Sequence, residues 1–202
     1  MRKLSNVSEI LIFTVGYLIF FGGLAVYEKN FEFLFYAAVM IFLIWLALDV
    51  YHRIKLQKWI IICISLLGLL HMAGGNLTLN EVRLYDFEII PGLIRYDNVV
   101  HFFGTFILTF IAYSLIHPII DDNLKRKKRL LFMWMLVLMA LGVGAVNEII
   151  ELVAVEFLDA SAGVGDYTNN AVDLVFNLFG SVLACFIIYH YYRKEEVENI
   201  YW

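Results

Sequence analysis

Charge is scarce in this 202-residue chain: Asp, Glu, Lys and Arg make up 17 % of it against 62 % hydrophobic residues, and the mean hydropathy is +0.78. A soluble domain of this size would leave much of that apolar surface in water, so soluble enzymes and binding modules are excluded. Cysteine is nearly absent as well. Cys63 and Cys185 fall in the middle of apolar runs, where they read as small apolar side chains, and neither a disulfide framework nor a CxxC site is suggested. HExxH, GxSxG and a glycine-rich phosphate loop are all missing, which removes the enzyme classes with sharp signatures. No internal repeat, low-complexity segment or long soluble loop is visible, and the chain reads as a single polytopic membrane domain over 1–202.

What the sequence does hold is long apolar runs. Cut at charged and turn-forming clusters, they fall at 10–26, 31–50, 59–75, 98–120, 130–156 and 169–192. Each approaches the ~20 residues that cross a ~30 Å hydrocarbon core as a helix. The expected fold is an all-α integral membrane protein with six transmembrane helices. The first run follows Arg2 and Lys3 but flows into FFGGLAVYEKN without a small-x-small cleavage site, so it reads as an uncleaved helix. Between spans 3 and 4, NLTLNEVRLYDFEIIPG alternates apolar residues with acids and suggests an interfacial or strand-like segment over the bundle, with Pro91 and Gly92 turning the chain into span 4.

Basic residues set the orientation. Arg2, Lys3, Arg53, Lys55, Lys58, Lys125, Arg126, Lys127, Lys128, Arg129, Arg193 and Lys194 gather at one side, leaving only Lys29, Arg83 and Arg95 at the other. Multi-pass insertion in the cell membrane with both termini cytoplasmic is expected. The 125–129 run reads as an anchor against anionic lipid, not as a nucleic-acid patch.

Spans 3 to 6 carry polar and small residues at three- and four-residue spacing, which places each set on one helical face. They are Ser65, Gly68, His71 and Gly75; Asp97, His101 and Thr105; Ala140, Gly144, Glu148 and Glu151; and Asn170, Asp173, Asn177, Gly180 and Ala184. Polar faces turn inward in lipid and small residues let helices approach, so a polar core within a four-helix bundle of spans 3–6 is expected, flanked by spans 1 and 2. With ~1.5 Å rise per residue, His71, His101, Glu151 and Asp173 share a slab roughly 5 to 10 Å below the outer interface. Ionisable groups at one depth mark a functional site.

Within that slab, Glu148 and Glu151 are the sharpest signal, because two carboxylates one turn apart on an apolar helix repel unless they share a proton, a metal or a basic partner. Glu148, Glu151, His101 and Asp97 are the candidate catalytic residues. His71, His101, Glu148, Glu151, Asp166 and Asp173 are the candidate metal ligands, with Asn147, Asn170 and Asn177 completing the polar pocket; no organic cofactor site is indicated. Imidazoles with carboxylates suit Zn, Mn or Fe, whereas Mg or Ca would use mainly the oxygens. Asp97 and His101 also suit a plain hydrogen-bonded cap, Asp166 an N-cap, and Asp173 with Asn177 a polar zipper.

In their order HMAGG, YDNVVHFFG, NEIIE and GDYTNNAVDLVFNLFG, the chain resembles the YjdF-like membrane proteins of unknown function and, over spans 4 to 6, more distantly the VanZ-like family. The VanZ-like pattern has a Lys after the first Asp, a Gln at the partner position and an Arg before the last motif; here stand Asn98, Glu151 and no Arg between Leu152 and Asp173. The resemblance implies an outward-facing envelope role. Three functions fit the residues. A metal-dependent or acid-base enzyme acting on a lipid or lipid-linked head group explains acids and histidines near the headgroups. A structural or accessory protein would use the network only for packing, and a proton- or cation-coupled transporter would need polar lining that the inner halves of these spans have little of.

Overall fold

The computed structural model describes residues 7–53, 56–158 and 167–200. Six of its helices are long and apolar enough to span a membrane. In chain order these are α1 (Ser8–Tyr27), α2 (Phe31–Arg53), α3 (Lys58–Asn76), α4 (Tyr96–Ile116), α6 (Arg129–Leu158) and α7 (Tyr167–Ile200), with a short helix α5 (Asp122–Lys127) between α4 and α6. Apolar segments of this length fold as helices because lipid offers no partner to an exposed backbone amide. The fourth helix ends at Ile116, earlier than the run of apolar residues suggests, because Pro118 has no N–H with which to continue the ladder beyond the His117 cap. Lys125 Nζ donates to the His117 carbonyl at 2.8 Å, and Asp121 caps α5 by accepting from the amides of Asn123 and Leu124. Lys125 also binds Asp122, and that hydrogen-bonded ammonium holds the Asp122 carboxyl below its usual range.

The segment between α3 and α4 forms two small antiparallel hairpins. Strands β1 (Thr78–Leu79) and β2 (Val82–Arg83) pair Thr78 with Arg83. Their two-residue turn places Asn80 and Glu81 at φ of 52° and 66°, the left-handed pair that a tight hairpin of this twist requires. Strands β3 (Glu88–Ile90) and β4 (Ile94–Arg95) follow, joined through Gly92 at φ 69°. Arg83 ties this roof to α2 through Glu32 at 3.6 Å, and Tyr96 Oη ties the start of α4 to the Leu70 carbonyl of α3 at 2.9 Å.

Among the spans, α4 packs most extensively on α7, and α6 lies against both. Gly180 makes the α4–α7 approach feasible: a Cβ there would stand 2.1 Å from the Phe102 carbonyl oxygen. The small-residue face of α3 turns elsewhere than the bundle centre. Gly68 receives Tyr17, Gly75 receives the Phe33 ring, and Ser65 hydrogen-bonds Thr14 at 2.6 Å, so this stripe seats α3 on α1 and α2. The expected flanking position of spans 1 and 2 is thus built by α3. At the end of the bundle away from the hairpins, Ala112, Phe132, Met133, Leu136, Val137, Cys185 and Ile188 form an apolar core.

Candidate functional site

Three helices bring the polar residues of the bundle onto one imidazole. His101 and Asp97 stand on one face of α4, one turn apart, with Nε2 at 3.5 Å from Asp97 Oδ1. From α6, Glu148 Oε1 lies 3.5 Å from His101 Nδ1 and Glu151 Oε1 lies 3.9 Å from Nε2. From α7 comes Asp173, fully buried. Two sets of three ligand groups result, Asp97 with His101 and Asp173, and His101 with Glu148 and Glu151; in each, the ligand atoms all lie within 4.8 Å of one another.

The two sets differ in how their oxygens are satisfied. Asp173 accepts from Asn98 Nδ2 at 2.8 Å on one oxygen and from Asn169 Nδ2 at 2.9 Å on the other. Asn169 Nδ2 also reaches Asp97 Oδ2 at 3.5 Å, and its Oδ1 accepts from Arg95 at 2.9 Å. Asn98 is fixed in turn by the Arg95 backbone amide, which donates to its Oδ1 at 2.8 Å. On the other side, Asn147 donates to Glu151 Oε1 at 2.6 Å. Both carboxylate oxygens of Glu148 are buried and have no hydrogen-bond partner among the described residues, and the same holds for both polar atoms of the Asn177 amide. Asn177 is buried against Gly144 of α6. Groups of this kind cost free energy unless something completes them.

His71 stands apart from these sets. Tyr85, carried by the 3-10 turn Leu84–Asp86, hydrogen-bonds its Nδ1, and the rings of Phe33 and Tyr36 flank it with centroids at 6.1 and 5.3 Å. Burial raises the Tyr85 phenol well above its ordinary range, so the phenol keeps its proton. Gly74 leaves room for that ring. Of the remaining sequence candidates, Asp166 lies outside the described residues, and Asn170 has a buried Oδ1 with no hydrogen-bond partner among the described residues.

Sequence reading passed over Asn98, Asn169 and Tyr85. Asn169 had a signal, since 169, 173 and 177 recur by fours on one face of α7, and Asn98 directly follows Asp97. Tyr85 had none, because it sits in a segment without helical periodicity. A family model described as predicted membrane protein (DUF2238) matches residues 9–194, so the chain belongs to that family, whose YjdF-like members are of unknown function. No curated protein and no solved structure matches it.

Proposed function

We propose that this member of the DUF2238 family holds a divalent cation between His101, Glu148 and Glu151, and that the site acts on a lipid or lipid-linked head group from the outer leaflet of the cell membrane, with both termini cytoplasmic. The observation that carries the reading is Glu148, whose two buried oxygens have no hydrogen-bond partner among the described residues while Oε1 stands 3.5 Å from the imidazole. A cation supplies what they lack. A nitrogen with carboxylates suits Zn, Mn or Fe before Mg or Ca.

The residues then divide by task. With a proton on His101 Nε2, 3.5 Å from Asp97, the Nδ1 lone pair would face Glu148; a carboxylate behind a ligating histidine fixes tautomer and ring orientation in this way. Asn147 steadies Glu151. Asn98 and Asn169 hold Asp173 still, so this carboxylate supports the site through fixed charge. A bound cation would polarise a phosphoryl or carbonyl oxygen and lower the pKa of a coordinated water, and Glu151 or Glu148 would take or return the proton at its carboxylate oxygen. The apolar core of Phe132, Leu136, Val137 and Ile188 beneath the site favours this reading over a transporter, which needs a polar route through the inner half.

Metal content of purified protein tests the proposal. Stoichiometric metal in the wild type, lost in Glu148→Gln and Glu151→Gln while both variants fold, is the expected result. A metal-free wild type, with the variants equally or more stable, would leave a packing network as the better account, since the amides relieve repulsion between buried carboxylates.

A further inference from the structure

Two arginines stand over the acidic site, and they are committed differently. Arg83 is bound by two acids, Asp86 at 3.2 Å and Glu32 at 3.6 Å. Arg95 is exposed, and among the described residues no carboxylate forms an ion pair with it. Its partner is the neutral Asn169 carbonyl oxygen at 2.9 Å. Glu88, opposite Arg95 in the β3–β4 ladder, is occupied by the Gly92 amide at 2.8 Å. Among the described residues, the guanidinium thus has donors that no carboxylate takes up.

Position narrows the anion. Arg95 immediately precedes Tyr96, the first residue of the α4 span, which puts it at the edge of the hydrocarbon, where lipid phosphates lie. A guanidinium presents a planar fork that matches phosphate oxygens two at a time. Asn169 then joins the two halves of the site. Its carbonyl oxygen accepts from Arg95, while its amide nitrogen donates to Asp173 and reaches Asp97, which contacts His101.

We propose that Arg95 is the phosphate-binding residue of the His101 site, and that the ligand is a phosphate ester, anchored over Arg95 with its phosphoryl oxygens directed toward the cation. The assignment rests on the cation reading above and names its substrate class. It does not depend on which leaflet the site faces, because both present phosphates at this depth.

The test uses the full chain in detergent, titrated with short-chain phosphatidic acid, the corresponding diacylglycerol and inorganic phosphate, with metal content measured on the same samples. Wild-type protein should bind phosphatidic acid at least about tenfold more tightly than diacylglycerol, and Arg95→Ala should lose that preference with its metal content unchanged. Arg95→Lys should regain part of it, since it restores charge without the fork. Arg95→Gln can still donate to Asn169 and serves if Arg95→Ala folds poorly; it too should lose the preference. Competition by inorganic phosphate at concentrations comparable to phosphatidic acid would identify free phosphate as sufficient, and its failure to compete would identify a lipid-borne phosphate. Equal binding of phosphatidic acid and diacylglycerol by the wild type, or unaltered phosphatidic acid affinity in both Arg95→Ala and Arg95→Gln, would overturn the assignment. In metal-replete protein those results overturn it alone, whereas a metal-free wild type sinks the cation reading.

Discussion

The two sides of His101 are built from the same chemistry and finished in opposite ways. Toward Asp97 and Asp173, amides from Asn98 and Asn169 meet both oxygens of Asp173, and the chain of bonds continues out to Arg95. Toward Glu148 and Glu151, among the described residues, one carboxylate has a single amide partner and the other has none. Burial alone does not separate them, because both sides lie within the bundle. A buried carboxylate whose lone pairs are met contributes a fixed charge and a fixed shape; one left without donors is destabilised until a ligand arrives. The first side is a frame for the imidazole, and the second is where the proposed cation would sit.

Breaking the second side should have the larger effect. Glu148→Gln removes a charge that no hydrogen bond compensates, and metal affinity measured by competitive chelation should fall by more than about 100-fold, beyond the usual cost of losing a supporting residue. Asp97→Asn leaves all three proposed ligands in place but loses the acceptor that sets the tautomer of His101. Affinity should fall by roughly 10- to 100-fold with unchanged stoichiometry. An equal loss in the two variants would erase the distinction between the sides.

Breaking the first side should appear in stability. Asp173→Ala strands the Asn98 and Asn169 amides and should cost about 1–3 kcal/mol in a reversible unfolding measurement made without metal, where Glu148→Gln should be neutral or stabilising. A destabilised Glu148→Gln would show that its carboxylate is held by something other than a missing ligand. Tyr85→Phe, which deletes one hydroxyl partner of His71, should have the smallest effect, roughly 0.5–1.5 kcal/mol with metal content unchanged. Loss of metal in that variant would draw His71 into the site.

The six spans were legible because apolar runs of membrane length leave the backbone few alternatives. Glu148, Glu151 and His101 were legible because charge inside such runs is costly enough to stand out. Small residues were ambiguous for a physical reason: glycines mark where a helix is approached but not by what, and Gly68 and Gly75 serve α1 and α2 while Gly144 and Gly180 serve the site. On α7, the choice between Asn169 and Asn170 is a rotation of about 100° around the helix. The interhelical approach that decides it is set by Gly180 against Phe102, a tertiary fact. The Tyr85–His71 contact joins a turn to a helix, and no local period encodes such a pairing.

The close seat of Gly180 on α4 has a mechanical consequence. It makes α4 and α7 the most extensively joined pair of spans, with His101, Asp97 and Asp173 mounted on them, while Glu148 and Glu151 ride on α6, a strut that lies against both. Any ion shared between His101 and these glutamates is therefore a rivet between two bodies. Hydrogen exchange along the 147–157 stretch of α6 should slow when the rivet is set, and the slack in that strut when it is drawn would be the travel available for admitting a ligand.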